Sequence, residues 1–225
     1  MSGVNTRAWL GLVFVAVGMG VVLFTTAGTF HYWQAWVYVA LFSGASLLIT
    51  LYLMKKDPAL LARRVSGGPT AEKETAQKVI MVFASLGFIA LLAVPGLDHR
   101  LAWSRVPLWC VVLGDVLFII GWTIIFFVFR ENTFTSATIE VAADQRVIST
   151  GPYSVVRHPM YAGALLYCVG TPLALGSYWG LLAFAAMLPF LLWRLFDEER
   201  FLSRYLPGYT EYCARVRSRL IPGLF

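Results

Sequence analysis

The chain has 225 residues, 59% of them hydrophobic and only 13% charged, with 16 Phe and 8 Trp, whereas soluble domains average roughly 25% charged residues. That balance excludes a water-soluble globular protein and leaves no soluble domain of useful size. The formal net charge of +6 is accounted for by membrane topology and attraction to anionic lipid, and implies no nucleic-acid partner.

A bilayer core of about 30 Å needs about 20 apolar residues per helix, and six stretches approach that length: 8–27, 32–54, 79–97, 106–129, 161–175 and 178–196. Six spans is the count adopted and five the alternative, because the fifth stretch is short and contains Pro172. Gly176 and Ser177 would join the last two spans as a tight helical hairpin. The expected fold is an all-α integral membrane protein of five to six transmembrane helices. It forms a single polytopic domain over 1–225, with four spans in 1–130 and a cytoplasmic cofactor-binding core in 131–225.

The first apolar run superficially resembles a signal peptide, but its length and the span that follows mark it as a retained helix. With a cytoplasmic N-terminus, six spans place every Lys and Arg except Arg100 and Arg105 on the inner side, as the positive-inside rule favours. Both termini and the polar clusters described below are then cytoplasmic. Along the first four spans Asp115 is the exceptional polar group, and an acid inside a span is a functional candidate unless it lies near an end or bonds a neighbour. His31 and His99 fall in outer loops. The loop 55–78, with Pro58, Gly67, Gly68 and Pro69, reads as an amphipathic surface segment plus a turn, in contact with lipid and without chemistry. Cys110, Cys168 and Cys213 are isolated and no Cys/His spacing suits zinc, so neither a metal nor a disulfide is expected.

Beyond Arg130 the character changes. The segment ENTFTSATIEVAADQRVISTGPYSVVRHPM is long and polar for so apolar a chain. Gly151-Pro152 marks a turn, and Pro159 suits the first turn of a helix, where its missing N–H has no partner to lose. His158 then sits at a helix start, where it either serves as a cap or faces a ligand, while Arg157 reads as a lipid anchor. A second polar cluster, WRLFDEERFLSRYLPGYTEYCARVRSRLIPGLF, closes the chain. Arg194 and Glu198, four apart, share one helix face and could form an ordinary i,i+4 ion pair. The topology brings both clusters to one membrane face, where Tyr153, Arg157, His158, Tyr161, Arg194 and Glu198 can line one pocket.

At QRVISTGPYSVVRHPMYAG, the R-x-x-x-E-E of Arg194 to Glu199, and the series Leu202, Gly208, Tyr209, Tyr212 and Leu220-Ile221-Pro222, the sequence resembles the isoprenylcysteine carboxyl methyltransferase family. That family is grouped with the phospholipid methyltransferases. The resemblance covers roughly 145–225. It implies methyl transfer from S-adenosyl-L-methionine without the Rossmann domain of soluble methyltransferases, and no GxGxxG follows a strand here. By similarity, Gln145, Arg146, Val147, Ile148, Tyr153, His158, Pro159, Met160 and Tyr161 would hold the cofactor. Glu198 would complete that site at the cofactor's ammonium or ribose, and catalytic Arg194 would meet the acceptor carboxylate.

The implied partner is a lipidic or prenylated small-molecule acceptor within membrane lipid. An amine acceptor, as in phospholipid N-methylation, would require a base, for which His158 or Glu198 could serve. NADPH-dependent sterol-reductase-like enzymes share an Arg-His-Pro element, but Met160 and Ala164 here replace their Asn and Glu. The small residues Gly163 and Gly170 would pack helices closely or line a groove for the acceptor's tail.

Overall fold

The structure, a computed structural model, describes residues 2–65, 74–139, 141–142 and 144–225. Its described regular structure is eight α-helices and one 3-10 turn (Gly151–Ser154), with no strand. The stretch 66–73, including Gly67, Gly68 and Pro69 of the expected surface turn, lies outside the described residues.

Five helices are long and apolar enough to cross a membrane: α1 (Ser2–Ala27), α2 (Trp33–Lys56), α4 (Thr75–Leu101), α5 (Leu108–Glu131) and α7 (Gly180–Tyr205). The expected fifth span is α6 (Pro159–Ala174), which has 16 residues. At 1.5 Å per residue α6 is about 24 Å long, short of a ~30 Å hydrocarbon core. Five is therefore the number of helices of full spanning length among the described residues. Apolar side chains cover the outside of the bundle, with Phe14 78% exposed and Leu48 70%, an arrangement suited to lipid as the solvent.

Short α6 is built into the bundle by glycine. Gly163 and Gly170 face Gly121 and Gly114 of α5, and a Cβ on Gly121 would lie 2.5 Å from the Gly163 carbonyl oxygen. In return, a Cβ on Gly170 would lie 2.6 Å from the Gly114 carbonyl oxygen. The pairs 114/170 and 121/163 run in opposite senses with equal seven-residue steps, so α5 and α6 pack antiparallel along two backbone-to-backbone contacts. Helices in lipid gain from such close approach, because dispersion contacts replace the hydrophobic drive they lack. These small residues serve packing against α5.

At the bundle end carrying Ala27, Leu101 and Gly180, the polar anchor is Asp98, 1% exposed. It accepts hydrogen bonds from the Ser104 backbone N–H and hydroxyl, both at 2.7 Å, and from the Ser177 hydroxyl at 2.5 Å. The Tyr32 hydroxyl donates to the Leu175 carbonyl at 2.5 Å and stacks its ring on His99 at 4.1 Å. These bonds fix the α6–α7 turn. The structural acid is thus Asp98 rather than Asp115, which is half-buried and has no hydrogen-bond partner among the described residues.

The opposite end, carrying Lys56, Glu131 and Tyr205, is covered by polar chain. Here α3 (Pro58–Val65) starts at Pro58, with Asp57 accepting from the Leu60 N–H at 2.9 Å as its cap. Leu60 and Leu61 then bury against Leu53, Ile125 and Phe129. Beyond α7, α8 (Tyr209–Arg215) buries Tyr209 and Tyr212 against Leu206 and Val147. The final residues run back past the start of α6, where the Arg157 and His158 N–H groups donate to the Ser218 and Arg219 carbonyls at 2.9 and 3.0 Å.

Candidate active site

Under this polar cover lies a cavity of about 660 Å³. All eleven residues that the family resemblance singles out line it: Gln145, Arg146, Val147 and Ile148 from the covering segment, Tyr153 from the 3-10 turn, His158 to Tyr161 from the start of α6, and Arg194 and Glu198 from α7; Asp115 does not. Its inner wall is apolar and formed by Phe42, Met81, Trp122, Ile125 and Leu191. Trp122 lies nine residues, about 14 Å, below the end of α5 at 1.5 Å per residue. The cavity therefore has a polar mouth and an apolar floor between helices.

Pro159 is the first residue of α6 and His158 its N-cap, yet the imidazole makes no capping bond. The cap role is thereby ruled out for the side chain; only the His158 carbonyl serves the helix, accepting from Ala162 N–H at 3.1 Å. The imidazole is 4% exposed, and its Nε2 lies 3.6 Å from Glu199 Oε1, too long for a hydrogen bond. Glu199 is the hub of this corner. Its Oε1 lies 3.1 Å from Arg157 Nη2 and its Oε2 accepts from Arg219 Nε at 2.9 Å. The Arg157 side chain is 9% exposed. It is an internal ion-pair partner, not a lipid anchor, because the returning C-terminal segment covers it.

One residue earlier on α7, the Glu198 carboxylate accepts a 2.6 Å hydrogen bond from the Tyr161 hydroxyl. Arg194 is oriented from other elements, donating to Gln77 Oε1 of α4 at 2.8 Å and to the Ala137 carbonyl at 3.1 Å. The i,i+4 spacing thus places both side chains on the cavity face without pairing them with each other. Burial pushes the hydroxyls of Tyr153, Tyr209 and Tyr212 well above their ordinary range, so all three stay protonated. The Tyr153 oxygen accepts from Asn132 Nδ2 at 3.0 Å, and the Tyr212 hydroxyl donates to the Tyr153 carbonyl at 2.7 Å.

Two site residues come from stretches to which the sequence assigned no chemistry. Gln77 is 2% exposed just ahead of the apolar run of α4. Arg64, from α3, lines the cavity and donates to the Ser136 carbonyl at 3.0 Å, which corrects the expectation that 55–78 serves only as lipid-contacting surface. The spacing of Leu60 and Arg64 on one face of a capped helix is the signal that could have found it.

The cavity fits a sulfonium amino acid nucleoside in three respects. His158 Nε2 and the Tyr209 hydroxyl, on two lining residues, are buried with no hydrogen-bond partner among the described residues. The Tyr153, Tyr161 and Tyr209 rings can face a cation. Glu198, also on the lining, carries a carboxylate that would suit an ammonium or ribose.

Comparison with known proteins points the same way. The profile of the phospholipid methyltransferase family matches residues 109–207, a stretch that takes in α5, α6 and α7. The chain is 30% identical to protein-S-isoprenylcysteine O-methyltransferase B of Arabidopsis thaliana over 145 residues, 61% of this chain and 70% of that one. It is 31% identical over 116 residues, 48% of this chain and 47% of the other, to the protein-S-isoprenylcysteine O-methyltransferase of Saccharomyces cerevisiae. A Delta(14)-sterol reductase of Mus musculus is 33% identical over 93 residues, 39% of this chain but only 22% of its own length. On these matches and its apolar, all-helical architecture, the chain belongs to the isoprenylcysteine O-methyltransferase family of integral membrane methyltransferases, akin to the phospholipid methyltransferases.

Proposed function

We propose that the protein transfers a methyl group from S-adenosyl-L-methionine to the carboxylate of a lipidic acceptor of the isoprenylcysteine class, on the cytoplasmic side of the membrane. The observation that carries this is the convergence of eleven residues from four separate stretches on one cavity, polar at its mouth and apolar within. The polar part suits a water-soluble cofactor and the apolar part a lipid tail.

The cofactor supplies an electrophilic methyl group whose bonding electron pair stays on sulfur as the acceptor oxygen forms the new O–C bond. No new anion appears, so the protein's task is chiefly alignment. Gln145 to Ile148, Tyr153 and His158 to Tyr161 form the cofactor's walls in this account. Glu198, held by Tyr161, faces its ammonium or ribose. A carboxylate is ionised at neutral pH and requires no base. Arg194, fixed from behind by Gln77 and the Ala137 carbonyl, orients it through a two-pronged, charge-assisted hydrogen bond. An amine acceptor would leave that arginine without a role. The sterol-reductase likeness covers too little of that enzyme to carry a hydride-transfer account, and Met160 and Ala164 depart from its motif.

The test is Arg194→Ala in purified protein. Turnover should be lost while the cofactor still binds with wild-type affinity; a fully active variant would refute the carboxylate role.

A further inference from the structure

Behind Arg194 stands an acid that the proposed reaction leaves without a task. Asp197 lies three residues beyond Arg194 on α7, so the two side chains leave that helix on one face. Gln77 of α4, 2% exposed, bridges them: its Nε2 donates to Asp197 Oδ2, and its Oε1 accepts from Arg194 Nη1 at 2.8 Å. The direction of the bridge follows from chemistry. A carboxylate accepts and cannot donate, whereas a guanidinium donates and cannot accept. Only the amide orientation with its NH2 toward Asp197 and its oxygen toward Arg194 satisfies both. Asp197 is half-buried, and among the described residues its carboxylate makes no ion pair, only this bond to a neutral amide. Neither Asp197 nor Gln77 lines the cavity, whereas Arg194 does.

We propose that Asp197 is a positioning residue for methyl transfer, which through Gln77 holds the Arg194 guanidinium in the orientation that meets the acceptor carboxylate; this rests on the carboxyl-acceptor function proposed above. A glutamine amide turns about its last bond between two orientations of nearly equal shape. Asp197 selects one of them. A half-turn of Gln77 would set its NH2 against the Arg194 N–H groups, donor against donor, and leave buried polar atoms without partners. Methyl transfer tolerates little such error, because the reacting oxygen must stand about 3–3.5 Å from the methyl carbon and in line with the bond that breaks. Arg194 therefore needs an orientation as well as a charge. The chain from acid to amide to arginine sets that orientation from outside the cavity.

The test uses purified protein in detergent, an N-acetyl-S-farnesylcysteine acceptor, and the cofactor alone by calorimetry. Asp197→Leu removes the acceptor of the bridge and should lower kcat/KM about 10-fold, the loss expected for a hydrogen bond to a charged group, with the cofactor Kd within about 2-fold of wild type. On a Gln77→Ala background the same change should cost less than about 2-fold, because the link it works through is already gone. Gln77→Glu sets two carboxylates together and should be impaired. Adding Asp197→Asn to it restores a donor facing an acceptor and should recover at least about 3-fold in kcat/KM. That swap keeps every side chain's size, so it decides the matter if Asp197→Leu does not fold. Full activity in a folded Asp197→Leu variant, losses that multiply on the Gln77→Ala background, or a swap no better than Gln77→Glu alone would each overturn the inference and leave the proposed function standing. A weakened cofactor Kd with normal acceptor kinetics would tie Asp197 to the cofactor and overturn it too. Failure of the wild type to methylate any carboxylic acceptor would defeat both.

Discussion

Replacing Glu199 by Gln keeps the shape of the hub and removes its charge. Glu199, 13% exposed at the side chain, stands 3.1 Å from Arg157, itself 9% exposed, and 2.9 Å from the more open Arg219. Removing one partner of a buried ion pair costs about 3–5 kcal/mol. Solvent reaches Arg219, 34% exposed, so about 2–3 kcal/mol is the reasonable share here. For a chain of this size each kcal/mol shifts the melting temperature by about 2–4 °C, giving a fall of about 4–12 °C. Thermal unfolding in detergent measures it. Combining Glu199→Gln with Arg157→Gln removes the stranded charge as well, so the double variant should be at least about 1 kcal/mol more stable than the sum of the singles predicts. Strict additivity, or an unshifted melting temperature for Glu199→Gln, would refute the internal ion-pair role and return Arg157 to the lipid surface.

Other expectations concern the site and its scaffold. His158→Ala and Glu198→Ala should each weaken cofactor binding about 10-fold or more by calorimetry, each removing a polar or charged contact, with the bundle still folded. Gln77→Ala frees one edge of Arg194 and should lower kcat/KM about 10-fold in a methyl-transfer assay, with cofactor affinity preserved. Gly121→Val drives a side chain into the Gly163 carbonyl, 2.5 Å from the first added carbon, and should cost at least about 1–3 kcal/mol in unfolding experiments. Gly44→Ala, with nothing within 4 Å of its added carbon, should be close to neutral.

Much of the candidate site was legible because it depends on local rules. Pro159 after His158 marks the helix start by backbone chemistry alone, and the four-residue step from Arg194 to Glu198 puts both on one helix face wherever that helix lies. What escaped depends on tertiary neighbours. Arg64 and Gln77 sit in stretches that hydropathy scores as loop and helix margin; the Ser136 carbonyl of the covering chain gives the first its place, and Arg194 and Asp197 of α7 give the second its own. The four-residue step from Arg194 singles out Glu198 but says nothing of Glu199, which the 100° step of a helix turns toward Arg157 and Arg219. Hydropathy flags Asp115, inside the expected fourth span, and passes over Asp98, one residue beyond the third. One ends in a knot of serine hydroxyls and the other does not. The five-span count turned on length alone, since α6 keeps its place through Gly163 and Gly170 against α5 rather than by spanning the full hydrocarbon depth.

The most direct test of the central claim is the fate of a labelled methyl group. Purified protein incubated with methyl-labelled S-adenosyl-L-methionine and an S-prenylcysteine acceptor should transfer label into the lipid phase, and mild base should release it as methanol, as an ester requires. Base-stable label would contradict a carboxylate acceptor and point to an amine; no transfer to any lipid fraction, with reduction of a sterol in its place, would contradict methyl transfer itself.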